Sequence, residues 1–301
     1  MRYRVSHTTT YSTTQRVSVC HNIAHLAPRE TKYQTTVDHD LSIAPEATSR
    51  TSHVDSFGNV VTNFSFSEGY DTLSVESVND VIVRPPESVT EHDDLAWEKV
   101  RDGDWSMAVQ DPRGMGDVRQ FLFDSPRIRR QPRLAEYAAV SFTPGRPLFE
   151  ALYDLTHRIF TEFTYSSKAT SVTTPIDKVF DQKAGVCQDF AHLKIAMLRS
   201  LGLPAAYVSG YLRTYPKKGA EHLIGSSASH AWVSVYGGRG QLGDAGWVDI
   251  DPTNNKFLTD EFVTIARGRD YGDVAPLRGV FIGSGQHSLK VAVDVRPLEE
   301  D

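Results

Sequence analysis

The sequence has few of the residues that disulfide-stabilised, membrane-spanning or nucleic-acid-binding proteins need. It has only two cysteines in 301 residues, which excludes a disulfide scaffold. No run approaches the roughly 18 consecutive apolar residues of a transmembrane helix. The 32 Lys and Arg are outnumbered by 38 Asp and Glu, and this net charge of −6 argues against a nucleic-acid partner. The basic first residues precede no apolar run, so we expect no signal peptide and a cytoplasmic protein.

The remaining composition is that of a globular chain with ample material for a core. Hydrophobic residues make up 40% and charged residues 23% of the sequence, too apolar a balance for a disordered protein. A length of 301 residues favours two domains.

Residues 1–84 are predicted to form an antiparallel β-sandwich domain. Short runs of alternating polar and apolar residues are separated by turn signals such as Glu68-Gly69. Strands spaced by about 8–12 residues are typical of a sandwich. Adjacent Pro85 and Pro86 mark its end, because neither fits a central strand or a helix interior. Residues 85–145 are predicted to be a mixed, partly helical connector.

Residues 146–301 are predicted to form an α+β core that includes the C-terminal strands. Apolar residues recur every three or four positions between 148 and 163, which predicts an amphipathic helix after Pro147. A second helix is predicted from about Val186 to Leu201. The strand patterns of this region lie at 205–212, 231–236, 247–250, 279–282 and 288–295.

The strongest chemical signal is the segment Lys183-Ala-Gly-Val-Cys187-Gln-Asp-Phe-Ala191. Cys187 falls at the predicted start of a helix, where unpaired N–H groups and the helix dipole favour an anion. A cysteine in such a position has a lowered pKa, and its thiolate can attack a carbonyl carbon. The alternative is a buried structural thiol, the commonest state of a free cysteine.

The second signal is the segment Ser229-His230-Ala-Trp232-Val-Ser234. Alternation puts His230, Trp232 and Ser234 on one strand face and the apolar residues on the other, which we expect to be the buried face. An imidazole at the start of this strand is a candidate base for a thiol. The alternative is a hydrogen-bonded structural histidine.

The third signal is the segment Gly246-Trp247-Val-Asp249-Ile-Asp251-Pro252-Thr253. A carboxylate on this strand could hold the imidazole in its working orientation. Periodicity allows either Asp249 or Asp251 in this role. The alternative is an aspartate that ends the strand and caps a turn.

Taken together, a cysteine at a helix start followed by histidine and aspartate on two successive strands is the order that papain-like folds use. The three segments Gly185–Ala191, Ser229–Trp232 and Trp247–Asn254 jointly resemble the core motifs of the bacterial transglutaminase-like superfamily. Other segments resemble that family's N-terminal β domain and its C-terminal segment, namely Tyr3–Tyr11, Leu26–Arg29, Asp55–Asn59, Arg267–Tyr271 and Pro276–Val280.

The resemblance implies a papain-like α+β core in which Cys187 is the nucleophile, His230 the base and Asp251 the orienting acid. Asp251 takes this role because it precedes Pro-Thr, as the family's acid does. The implied chemistry is acyl transfer at an amide through a thioester, with the Cys187 N–H as one oxyanion donor. Hydrolysis by a protease or amidase is the main expectation. Protein-glutamine crosslinking and a non-catalytic binding module that keeps the fold are the alternatives.

Four more residues are predicted to line the substrate cleft: Gln188, Trp232, Trp247 and His222. The expected partner is a protein or peptide substrate, with no metal, no cofactor, no nucleic acid and no membrane. The sequence makes no prediction of oligomeric state. Gly238–Gly243 matches a dinucleotide-binding pattern but precedes a strand, so we interpret it as a loop. His21 and His25 lack a third metal ligand.

Overall fold

The N-terminal region consists of long antiparallel strands. The computed structural model describes residues 1–86, 95–103, 118–214, 229–238, 246–283 and 285–298. The strands of this region are β1 (Arg2–Val17), β2 (Val19–Ala24), β3 (Gln34–Ala44), β4 (Ser49–Val54), β5 (Val60–Phe66) and β6 (Tyr70–Val83). Apolar side chains alternate inward along them, and the buried cluster between the strands includes Leu26, Phe64, Phe66, Leu73 and Val75.

The core of the C-terminal region is a five-stranded sheet with helices packed on it. Its strands, in spatial order, are β12 (Lys256–Phe257), β11 (Trp247–Asp251), β10 (Ser229–Tyr236), β9 (Ala205–Leu212) and β13 (Phe262–Gly268). A short parallel pair is formed by β7 (Thr164–Tyr165) and β8 (Ala184–Gly185). The helices are α1 (Trp97–Arg101), a 3₁₀ turn (Val118–Leu122), α2 (Pro132–Ala139), α3 (Leu148–Glu162), α4 (Ile176–Gln182), α5 (Cys187–Ser200) and α6 (Tyr271–Val274). The α+β fold class is thereby confirmed.

The last two strands, β14 (Leu277–Ile282) and β15 (His287–Leu298), join the N-terminal sheets. The two four-stranded sheets have the orders β15-β1-β6-β3 and β14-β2-β5-β4. Val295 lies opposite Val5, and Leu277 lies opposite Ala24. The sequence predicts both strands but groups them with residues 146–301; the structure pairs them with strands of residues 1–84. A periodic pattern identifies a strand without identifying its neighbour.

Helix α5 is buried along most of its length and organises the core. Its predicted apolar stripe is buried, with Phe190 2% and Leu193 and Met197 0% exposed. Polar residues of the same helix are also enclosed: the Lys194 ammonium donates to the Leu152 carbonyl oxygen at 3.2 Å. A helix covered on all sides holds its first turn in one place relative to the sheet.

Both faces of β10 are covered, so the expectation that only its apolar face is buried is wrong. Ala231 and Val233 pack in the cluster that contains α5. Trp232 and Ser234, on the opposite face, are 0% exposed. On this second face Trp232 packs with Val208 and Phe262, and Tyr236 packs in a cluster that includes Phe57 of the N-terminal region.

Gly210, opposite His230 on β9, leaves no room for a side chain. A Cβ there would lie 2.2 Å from the Val263 carbonyl oxygen and 2.4 Å from Cη2 of Trp232. We therefore expect Gly210→Ala to lower the free energy of unfolding by about 3 kcal/mol in a denaturant titration.

Gly145→Ala is the matched control for this substitution. Gly145 has a φ of +74°, but a Cβ added there would meet no heavy atom within 4 Å, so only backbone strain of about 1 kcal/mol is expected. Equal losses in the two variants would contradict the close contact at Gly210.

None of the helices among the described residues combines the length and the apolar character that a membrane crossing needs. Within the same residues, no three His, Cys, Asp or Glu side chains are grouped as a metal site would require.

Candidate active site

Cys187 is the first residue of α5, and a buried carboxylate fixes the turn before it. Asp189 Oδ2 accepts hydrogen bonds from the Val186 backbone N–H at 2.9 Å and from the Thr170 hydroxyl at 2.5 Å. A Cβ on Gly185 would lie 2.8 Å from Asp189 Oδ2, so this position requires glycine. The local sequence thus holds the sulfur at the open N-terminus of the helix.

His230 and Asp251 meet at the ends of two neighbouring strands. His230 Nε2 lies 2.7 Å from Asp251 Oδ2. The Asp251 side chain is 0% and the His230 side chain 10% exposed, so little water competes for this contact. Cys187 lies close enough to His230 to help raise the pKa of its imidazole. Because Nε2 is engaged by the carboxylate, Nδ1 is the nitrogen left for the sulfur.

A turn after β11 holds the Asp251 carboxylate in place. Oδ1 accepts from the backbone N–H groups of Thr253 at 2.8 Å and Asn254 at 3.3 Å. The Asn254 side-chain amide donates to Oδ2 at 2.6 Å and lies 3.4 Å from His230 Nε2. Sequence reasoning missed the contribution of Asn254. The turn itself is a recognised type, in which an Asp side chain accepts a hydrogen bond from the backbone two residues further on.

The charged forms of His230 and Asp251 stabilise each other. Burial lowers the pKa of His230, but the hydrogen bonds to Asp251 and Cys187 and their negative charges outweigh it and raise the pKa to about 10. For Asp251, burial raises the pKa, and the bond to His230 and the turn donors bring it below its ordinary value. The arrangement therefore favours a protonated imidazole beside an ionised carboxylate at neutral pH.

Asp249, the other aspartate that periodicity allows, has different partners. Its Oδ2 accepts from Trp232 Nε1 at 3.2 Å and from Arg267 Nη2 at 3.1 Å. The structure thus brings Asp251, and not Asp249, to His230.

The four predicted cleft residues lie in different surroundings. Gln188, beside Cys187, is partly exposed, and its amide donates to the Val172 carbonyl oxygen at 3.2 Å. Trp232 is 0% exposed behind His230, with ring centroids 6.1 Å apart. Trp247 is 2% exposed and packs on Phe121. Trp232 therefore backs the His230 ring, whereas Trp247 lies opposite Tyr236 at the other end of β10. His222 lies outside the described residues.

Tyr165 is a neighbour of Cys187 that sequence reasoning missed. It lies opposite Gly185 in the β7–β8 pair, and 59% of its surface is exposed. Partial burial and then the negative charge of Cys187 raise the pKa of its hydroxyl. A two-residue strand leaves no periodic signal, so only the fold brings this ring to the site.

Comparison with known proteins places the chain in a family. The pattern of the transglutaminase-like superfamily matches residues 136–252, and that of the bacterial transglutaminase-like N-terminal region matches residues 3–82. An uncharacterized protein of Mycobacterium tuberculosis is 40% identical over 306 residues, which cover 100% of this chain and 94% of that protein. A protein-glutamine γ-glutamyltransferase of Pseudomonas aeruginosa is 28% identical over 156 residues, covering 50% of this chain and 22% of that protein.

The fold also has a counterpart among solved structures. A crystal structure from Cytophaga hutchinsonii, provisionally named a cysteine protease, superposes with a TM-score of 0.74 at 24% identity. The superposition covers 100% of this chain and 92% of that one. Together with the residue matches, these similarities show that the chain belongs to the transglutaminase-like superfamily and carries its bacterial N-terminal region ahead of the core.

Proposed function

We propose that this protein is a cysteine-dependent acyl-transfer enzyme that hydrolyses amide bonds in proteins or peptides. The observation that carries the proposal is the 2.7 Å contact between His230 Nε2 and Asp251 Oδ2, with Cys187 at the start of α5 near enough to help raise the pKa of the same imidazole. A nucleophile, a base and an orienting acid in this order are the parts that thiol acyl transfer needs.

In the proposed reaction, the proton of the Cys187 thiol already lies on His230 Nδ1 before the substrate binds, and the thiolate attacks the amide carbonyl carbon. The Cys187 backbone N–H, at the helix start, would stabilise the negative oxygen of the tetrahedral intermediate. As the C–N bond breaks, His230 returns the proton to the leaving nitrogen, and an acyl thioester remains on the sulfur. His230 then takes a proton from water, which attacks the thioester, releases the carboxylic acid and restores the thiol.

An acceptor amine in place of water would make the same site a crosslinking transglutaminase. This alternative is favoured by the name of the Pseudomonas aeruginosa relative, whose match covers half of this chain. We expect water to be the acceptor here. The test supplies glutamine-containing peptides together with a labelled primary amine, and measures ammonia, new amino termini and incorporated label in one reaction.

Ammonia or new amino termini without incorporated label are the expected result. Incorporation that exceeds hydrolysis would replace the proposal by crosslinking. The absence of all three products across a peptide library would favour the binding module that keeps the fold. Cell fractionation would test the proposed cytoplasmic location, which agrees with the two cysteines being free.

A further inference from the structure

A cavity of about 650 Å³ lies between the N-terminal region and the core sheet. It lies beside the β11–β12 edge of the sheet, where its wall includes Asp249 and Phe257 of these strands and Phe149 and Tyr153 of α3. Cys187 does not line it. The cavity is therefore separate from the sulfur, although Phe262 of its wall contacts the back of the His230 ring at a centroid distance of 6.2 Å.

Flat aromatic rings form much of the cavity wall. Phe257 lies 6.1 Å from Phe149 and 6.3 Å from Tyr153 between ring centroids, and the planes of Phe257 and Tyr153 are within 21° of parallel. A volume of this size is within the range of small-molecule sites. Such a wall favours an aromatic guest, because rings stack on rings with well-defined geometry.

Two side-chain oxygens of lining residues accept and donate no hydrogen bond among the described residues. Asp249 Oδ1 and the Tyr33 hydroxyl are buried, and neither has a hydrogen bond to any other described residue. Buried polar groups are nearly always satisfied, so each is a place where a ligand could bind. The charge of Asp249 is already balanced by Arg267, 3.1 Å from Oδ2. The cavity is therefore suited to a neutral donor rather than to a cation.

We propose that this cavity binds a neutral aromatic group that carries one N–H or O–H donor, with the ring against Phe257 and the donor on Asp249 Oδ1. An indole-bearing compound has this chemistry. The proposal does not depend on catalysis, because neither Cys187 nor Asp251 lines the cavity.

The test is calorimetric titration of the full chain with N-acetyltryptophanamide and with its N1-methyl analogue, which lacks the indole donor. We expect saturable one-to-one binding of the first compound and about tenfold weaker binding of the second. Leu258→Trp, which fills the cavity, should weaken binding at least about tenfold. Val54→Trp is the matched control, since Val54 is 65% exposed on β4 and outside the cavity.

Cys187→Ala, which removes the proposed catalysis, is expected to bind the compound as the native chain does. The absence of saturable binding to the native chain would overturn the proposal. Equal affinity for the methylated analogue would overturn it as well, without any need for the Leu258 variant to fold.

Discussion

Replacing Cys187 by alanine is expected to remove amide hydrolysis, with a loss in kcat of about 10⁴-fold or more. The other members of the site act through the sulfur, so none of them can form the thioester in its absence. The measurement is kcat/KM on the peptides that the native chain cleaves.

Cys20→Ala is the matched control, because Cys20 is the other cysteine of the chain. It is 2% exposed in the N-terminal sandwich, and its sulfur accepts from the Asn22 amide at 3.2 Å. We expect full activity in this variant. Iodoacetamide should label Cys187 and spare Cys20, with labelling still fast well below about pH 8, where ordinary thiols react slowly. Activity that survives in Cys187→Ala would contradict the proposed nucleophile.

Asp251→Asn is expected to lower kcat by about 10²- to 10⁴-fold and to move the alkaline limb of the pH–rate profile to lower pH. In the native chain the pKa of His230 is about 10, because its bonds and charges with Asp251 and Cys187 outweigh the opposing effect of burial. Without the carboxylate, the imidazolium loses the larger of these partners, and its pKa falls. The measurement is kcat/KM from neutral to alkaline pH in both variants.

The same titration predicts how stability depends on pH. Because the pKa of His230 is raised in the folded chain, its protonated form stabilises the fold fully below its ordinary pKa of 6.5. That contribution is lost as the pH rises through about 10. The carboxylate of Asp251, whose pKa is lowered, contributes above its ordinary pKa of 3.8 and ceases to do so in stronger acid.

Asp249→Asn is the control for the orienting acid, since it makes the same chemical change two residues away on β11. Asp249 contacts Trp232 and Arg267 but has no hydrogen bond to His230 among the described contacts. We expect the alkaline limb to stay in place in this variant. A shift with Asp249→Asn and none with Asp251→Asn would assign the orienting role to Asp249.

Local patterns predicted α3, α5 and three strands of the core sheet closely, but not β13. The apolar spacing before residue 163 corresponds to α3 at Leu148–Glu162, and the strand expected at 205–212 is β9 at Ala205–Leu212. Both predictions rest on the periodic spacing of apolar residues. That spacing is visible in the sequence of the segment itself.

Features that depend on distant segments were not predictable in this way. Trp232 is buried against Val208 of β9 and Phe262 of β13, and no pattern within β10 indicates these neighbours. The partners of β14 and β15 are likewise set by segments more than two hundred residues away.

The residues of the candidate site also differ in whether a local pattern or only the three-dimensional fold identifies them. Cys187 and His230 could be singled out because each lies at the start of a helix or strand, where a side chain can reach a substrate. Periodicity left Asp249 and Asp251 equivalent, since both point to one face of β11, and only the resemblance to a family favoured Asp251. The contacts of Asn254 depend on how the turn after β11 folds back on His230 and Asp251. Residue spacing does not reveal that geometry.

The pairing of β15 with β1 has a consequence for synthesis on the ribosome. The edge of β1 that β15 covers is translated first, whereas residues 287–298 emerge after every other described strand. The nascent sandwich therefore keeps an open backbone edge until the transglutaminase-like core has been translated. A chain interrupted before residue 277 would keep two such edges, and open edges of this kind pair with other chains. Premature termination should thus yield aggregates rather than a separately folded front domain.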